Sequence, residues 1–222
     1  MRNLTILAAL GMLSTTGAAQ AEFSANAKLV SDYDFRGISQ TDEDLAVQVG
    51  IDWAHENGWY VGTWASNVDF GTDDPSHELN LYSGFAGELG AGVGWDLGVL
   101  YYIYPGDSDG NFPELYGKLS YGWFSGMAAY AKSYLGDHID ENAWYVAGDA
   151  TFPLGVVSLD LHAGYSDGDG IEAAFGDAYA DYSIGLTYGA KNFDVGIKWV
   201  TTDAEGYGDR VVLSVATLFP WE

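Results

Sequence analysis

Apolar and polar residues alternate with a period of two through most of this 222-residue chain. Between positions 45 and 53 the odd residues are Leu, Val, Val, Ile and Trp, and the runs 93–104, 157–166 and 192–199 repeat the pattern. Such alternation produces strands with one apolar and one polar face. No segment has a clear amphipathic helical stripe, so the sequence predicts an all-β protein.

We predict twelve strands, at 23–36, 45–55, 58–70, 77–88, 92–104, 113–122, 125–135, 142–152, 156–166, 178–188, 191–202 and 209–219. Many match the roughly nine to eleven residues that a tilted transmembrane strand requires. Tight turns, such as Glu56-Asn57-Gly58 and Pro153-Leu154-Gly155, alternate with longer loops. An even strand number with this alternation is typical of bacterial outer-membrane barrels. We therefore predict an antiparallel transmembrane β-barrel with short periplasmic turns and longer, acidic extracellular loops.

The charges indicate which face of the strands meets lipid. The formal net charge is −24, and the predicted loops 37–44, 71–76, 105–112, 136–141, 167–177 and 203–208 contain acids but no lysine or arginine. The basic residues of the strands fall on the polar phase. Since a lysine or arginine facing the bilayer centre costs about 2–4 kcal/mol, we expect the apolar phase outside and the polar phase inside. The acidity also argues against a nucleic-acid partner.

The N-terminus has the features of an export signal. Arg2 precedes an apolar run at residues 4–13, and Ala19-Gln20-Ala21 forms a cleavage motif. This pattern predicts a signal peptide at residues 1–21 and a barrel at 22–222. The chain has no cysteine, which excludes a disulfide framework and a thiolate metal site. We expect a Gram-negative outer-membrane protein in contact with lipid and lipopolysaccharide.

Residues 31–40, with the sequence SDYDFRGISQ, resemble the opening motif of the TorF family of porin-like proteins. The stretches 64–70, 78–82, 100–106 and 113–117 are also similar to that family, so the resemblance extends over nearly the whole mature chain. It implies an outer-membrane barrel with a porin-like role and no particular substrate.

No motif predicts an enzyme. His55, His77, His138 and His162 lack the spacing of a metal site or a catalytic triad. Two Asp- and Gly-rich loops, 107–111 and 167–170, resemble fragments of calcium loops but lack the bidentate glutamate. We therefore predict no catalytic residue, cofactor or specific metal site.

The polar phase provides candidate pore-lining residues. They are Lys28, Asp32, Asp34, Arg36, Asp52, Asn80, Asp96, Glu114, Lys118, Lys132, Asp149, Asp160, His162, Asp181, Asp194, Lys198 and Arg210. The first four share one phase of the first predicted strand. They could line an ion-selecting constriction, or form an ion-pair network that fills the lumen.

Three hypotheses about function remain open from the sequence. The acidic mouth and mixed-charge lumen favour a narrow, cation-preferring channel for small polar solutes. The first alternative is a closed outer-membrane barrel with a structural or surface-interaction role. The second alternative is a soluble exported β-protein.

Overall fold

The computed structural model describes residues 22–72 and 75–219; the predicted signal peptide lies outside them. Its strands are β1 (Glu22–Val30), β2 (Asp34–Phe35), β3 (Ile38–Ser39), β4 (Ala46–Ala54), β5 (Trp59–Asn67), β6 (His77–Leu89), β7 (Val93–Ile103), β8 (Phe112–Tyr121), β9 (Phe124–Tyr134), β10 (Glu141–Leu154), β11 (Val157–Asp167), β12 (Tyr179–Gly189), β13 (Asp194–Thr202) and β14 (Arg210–Phe219). A short helix, α1 (Asp169–Phe175), lies between β11 and β12.

Twelve of these strands form a closed antiparallel barrel. Consecutive barrel strands pair with each other, β4 following β1 in the ring, and β14 returns to pair with β1. Closure leaves no free sheet edge, as a lipid environment requires. The predicted twelve-stranded antiparallel barrel is confirmed. We call the end with the long connections the loop end, and the end with the tight turns 55–58, 90–92, 122–123, 155–156 and 190–193 the turn end.

The apolar phase faces outward. In β4, Val47, Val49 and Ile51 are 55%, 47% and 57% exposed, whereas the intervening Gln48 and Asp52 are buried. β7 and β13 show the same alternation, with Leu97 and Ile197 exposed. An apolar exterior around a polar interior is the arrangement of a barrel surrounded by lipid.

The first strand was predicted too long. β1 ends at Val30, and residues 31–45 form a connection that carries the separate β2–β3 hairpin. Arg36 and Gly37 have φ angles of 50° and 81°. These left-handed conformations form the turn of the hairpin, and an extended strand cannot accommodate them.

Helix α1 was not predicted. It occupies one of the predicted loops and buries Ile171 in the aromatic core at the loop end. Among the described residues, no helix is long and apolar enough to cross a membrane.

Candidate functional site

Residues 31–45, which we call the inner loop, fold into the barrel lumen at the loop end. Hairpin β2–β3 brings Gly37 against the wall formed by β12 and β13. A Cβ at Gly37 would lie 2.6 Å from the Cβ of Asp181 and 2.9 Å from that of Thr202. Only glycine fits here, because the position requires both a positive φ and close approach to the wall.

The inner loop is bound to the wall close to the end of β1, where the loop begins. Arg210 on β14 donates from Nε to Asp32 at 2.8 Å, and from Nη2 to Asp34 and to the Gly37 carbonyl, each at 2.9 Å. Lys198 on β13 donates to Asp34 at 2.7 Å. Because β14 pairs with β1, these bonds hold the loop near the point where it leaves the wall. We call this set the near anchor.

A second anchor lies across the lumen. Nη2 of Arg36 donates to both carboxylate oxygens of Glu114 on β8, at 2.7 and 2.8 Å. The Arg36 guanidinium also lies 4.4 Å from the ring centre of Tyr145 on β10. Burial lowers the pKa of Arg36, but the charge and hydrogen bonds of Glu114, together with Tyr102 and Tyr134, more than offset this and raise the pKa above its ordinary value. Arg36 is therefore a charged group held in a buried ion pair, which we call the far anchor.

Aromatic contacts join the inner loop to the remaining wall. Tyr33 packs edge-on against Trp64 on β5 at 5.3 Å and donates to Glu78 on β6. Phe35 packs against Tyr102 on β7 at 6.0 Å. Together with the two anchors, these contacts carry the loop across the lumen. At the loop end, the charged residues of the inner loop and of the wall form ion pairs.

Below the inner loop, tyrosines pack against inward-facing glycines of the wall. Each of three lies directly opposite an inward glycine of the neighbouring strand: Tyr60 opposite Gly84, Tyr82 opposite Gly62, and Tyr116 opposite Gly98. A Cβ on any of these glycines would overlap the paired tyrosine. The rings therefore cover the glycines, and the Tyr60 hydroxyl reaches Asp96 on β7 and the Tyr116 hydroxyl on β8.

Hydrogen bonds connect these tyrosines to lumen carboxylates. The hydroxyl of Tyr82 donates to Asp52, and that of Tyr60 donates to Asp96. Lys118 lies directly across the strand pair from Asp96. The acids on this side of the lumen are thus fixed in position by neutral donors and one lysine.

His162 bridges two acids on the opposite wall. Its Nδ1 lies 2.7 Å from Asp149 and its Nε2 lies 2.9 Å from Asp181. Both ring nitrogens can donate only when the ring is doubly protonated, and this arrangement suits that form. The Tyr145 hydroxyl is the other neighbour of Nε2, at 3.0 Å.

The turn end of the lumen is lined by small polar residues. Asp160 accepts hydrogen bonds from Thr151, Ser158 and Thr187 at 2.9 to 3.2 Å. Asp194, on the inward phase of β13, is only partly buried. Carboxylates here are accessible from the turn end, in contrast to the buried pairs of the inner loop.

A model of a family described as bacterial proteins of unknown function, Gcw_chp, matches residues 14–215. The chain belongs to the Gcw_chp family. No curated protein matches the sequence.

The Gcw_chp chain is similar in fold to solved outer-membrane channels. The KdgM porin aligns with a TM-score of 0.58 at 10% identity, covering 90% of this chain and 99% of that one. The NanC porin gives 0.53 at 13% identity, covering 89% and 98%. The COG4313 outer membrane channel from Pseudomonas putida F1 gives 0.52 at 9%, covering 91% and 96%. Such identities establish the fold alone. With the apolar exterior, this fold makes the Gcw_chp chain an outer-membrane β-barrel.

Most candidate pore-lining residues lie inside the barrel. The inner loop and its anchors contain Asp32, Asp34, Arg36, Glu114, Lys198 and Arg210. The wall below holds Lys28, Asp52, Asn80, Asp96, Lys118, Asp149, Asp160, His162, Asp181 and Asp194, all buried or partly buried. Asp32, Asp34 and Arg36 reach the lumen from the inner loop, and their predicted place on the first strand was wrong.

Lys132 was assigned to the wrong face. It is exposed, whereas the preceding Ala131 is 1% exposed and belongs to the lumen core. The register between β9 and β10 shifts at Glu141 and Ala143, close to this point. Lys132 therefore lies on the outer phase near the loop end of β9, where a long side chain can reach the membrane surface.

The predicted pore-lining residues did not include the lumen tyrosines or one buried acid, Glu78. Glu78 is 2% exposed and accepts hydrogen bonds from Tyr33 and from Asn80, the latter at 2.7 Å. Glu78 shares a strand phase with Asn80, and this spacing would have identified it. In residues 22–72 and 75–219, no group of three or more His, Asp or Glu side chains could hold a metal ion.

Proposed function

We propose that this protein is a porin-like channel that passes small polar solutes across the outer membrane and prefers cations. One observation carries the proposal: ionisable and hydroxyl side chains line the lumen from its middle to the turn end, where tyrosines pack against glycines. A polar interior of this kind is found in the water-filled barrels of porins. The porin neighbours and the TorF-like motif at residues 31–40 support the same role.

The charge balance supports the cation preference. Below the inner loop, the candidate lining residues include three lysines, Lys28, Lys118 and Lys198, one of them shared with the near anchor. They also include His162, whose geometry suits the doubly protonated form, and six acids: Asp52, Asp96, Asp149, Asp160, Asp181 and Asp194. The predicted extracellular loops add further acids without lysine or arginine. A negative lumen and mouth raise the local concentration of cations and lower that of anions.

The proposal also covers the export of the protein and its orientation in the outer membrane. Residues 1–21 act as a signal peptide, so the mature protein begins at Glu22, which mass spectrometry of the membrane-extracted protein would test. The loop end faces the cell exterior and contacts lipopolysaccharide. We assign the protein a transport role and no enzymatic one.

A closed barrel with a structural or surface role is the second candidate. The inner loop favours it, because both anchors and the aromatic contacts hold the loop across the lumen. Planar-bilayer recording of the refolded mature protein under a salt gradient distinguishes the channel from the closed barrel. Discrete steps with a cation-selective reversal potential support the channel, and Asp194→Lys should then reduce the selectivity. Silence from protein shown to be folded and inserted supports the closed barrel.

A further inference from the structure

We infer that the Arg36 side chain forms the constriction of this pore and keeps it narrow. The inference rests on the proposed channel function and deepens it. The inner loop backbone lies against β12 to β14 through Gly37 and the near anchor, and against β5 to β7 through Tyr33 and Phe35. Arg36 is the charged side chain of the inner loop that contacts the part of the wall formed by β8 to β10.

The near anchor and the far anchor contribute differently to narrowing the lumen. The near anchor consists of four hydrogen bonds on strands next to the loop's root, so it positions the loop but does not cross the lumen. The far anchor depends on the single side chain of Arg36. Removing that side chain leaves the near anchor intact, so the loop stays in place and a gap opens beside β8.

The hairpin turn sets the direction of the Arg36 side chain. Arg36 has a φ of 50°, a conformation that arginine rarely adopts and that glycine adopts freely. Arg36 and Gly37 are the two central residues of the β2–β3 turn, and tight hairpin turns of this kind require a positive φ at both positions. The turn therefore directs a long cationic side chain across the lumen to Glu114.

The same geometry provides a variant that removes the side chain without harming the fold. Arg36→Gly relieves the backbone strain, and a second change, Glu114→Gln, avoids an unpaired buried carboxylate. The matched control is Arg36→Met with Glu114→Gln, which keeps a side chain of similar length but no charge. Comparing the two double variants separates the effect of side-chain volume on conduction from the effect of charge.

Single-channel recording and liposome swelling with uncharged sugars test the inference. We expect Arg36→Gly/Glu114→Gln to show a several-fold higher conductance and to admit larger sugars than the wild type. The Arg36→Met/Glu114→Gln control should stay close to the wild-type sugar cut-off while becoming more cation-selective. Unchanged conductance and cut-off in the glycine double variant, against a conducting wild type, would overturn the inference.

A cysteine at the same position gives an independent readout. The chain has no cysteine, so a thiol-directed reagent would react at Arg36→Cys alone. Attachment of a short aminoethyl group through a disulfide recreates a cation near Glu114. It should return the raised conductance of Arg36→Cys to the wild-type level, and a reductant should reverse this. Failure of the reagent to reduce conductance, after complete labelling is shown by mass spectrometry, would contradict the proposed role.

A third variant distinguishes failure of the inference from failure of the channel function. Residues 32–40 are replaced by a flexible Gly-Ser linker, and folding is verified by circular dichroism and by the gel-mobility shift on heating. Conduction by this variant while Arg36→Gly/Glu114→Gln stays silent would reject Arg36 as the constriction and keep the channel. Silence of the wild type and of both variants, all shown to be folded, would reject the channel function and, with it, the inference.

Discussion

Leu97 offers the most direct test of the outward-facing phase. It lies near the middle of β7 and is 60% exposed, opposite Phe85 on β6 and Gly117 on β8. One of its methyl carbons would lie 3.0 Å from a Cβ at Gly117, so the side chain covers that glycine on the outer surface. Leu97→Arg places a cation at this depth, where the neighbouring side chains are also apolar.

The expected cost follows from the depth of the residue. An arginine at the bilayer midplane of a barrel costs about 2–4 kcal/mol, and the cost falls to about 0–1 kcal/mol near the interface. A loss of 2–4 kcal/mol lowers the folding equilibrium constant roughly 30- to 700-fold. Ile103→Arg, on the same phase at the loop end of β7, should therefore cost much less. Asp96→Asn should cost still less, because the amide can still accept the hydrogen bond from Tyr60.

Reversible unfolding in liposomes, followed by tryptophan fluorescence in a denaturant series, measures these free energies. The heat-induced shift in gel mobility confirms the folded fraction. We expect Leu97→Arg to be the most destabilised of the three variants. Similar free energies for Leu97→Arg and Ile103→Arg would show that position 97 does not face the bilayer centre, and the assigned faces of β7 would have to be exchanged.

Further predictions concern the anchors, the lumen wall and the reassigned lysine. Arg210→Ala leaves the buried Asp32 without its cation and should destabilise the barrel by about 3–5 kcal/mol in the same liposome titration. Gly62→Val forces Tyr82 off the wall and should cost about 1–3 kcal/mol, measured likewise. Lys132→Ala should change stability by no more than about 0.5 kcal/mol, whereas Lys118→Ala should cost about 1–3 kcal/mol. Equal effects of the two lysine changes would contradict the outward placement of Lys132.

The barrel itself was predictable because lipid imposes a simple pattern. Each residue of a membrane strand meets either lipid or lumen, and the cost of a misplaced charge keeps the alternation regular. Where this constraint acts on both sides of a strand, as in β4, β7 and β13, the predicted bounds and faces are confirmed. β9 shows the limit. Its inward Met127, Ala129 and Ala131 are as apolar as its outward Gly126 and Ala128, so the pattern there did not identify the face of Lys132.

The inner loop was not predictable from alternation. Asp32, Asp34 and Arg36 alternate with Tyr33 and Phe35, so residues 31–36 continue the strand pattern of β1. The loop leaves the wall because it finds partners distant in sequence. Arg210, for example, lies 178 positions beyond Asp32. Only Gly37 marks the turn locally, and a single glycine does not distinguish a hairpin from a bulge.

The ion-paired charges of the wall and of the inner loop are complementary in their order around the barrel. The wall presents Arg210 on β14 beside the loop's root and Glu114 on β8 across the lumen, and the loop presents its acids to the first and Arg36 to the second. A loop turned the other way would bring like charges together and leave buried charges unpaired, which is far more costly than losing a surface ion pair. The wall therefore specifies one orientation of the loop. Arg36 is the side chain that this orientation directs across the lumen, and we therefore infer that it limits the pore.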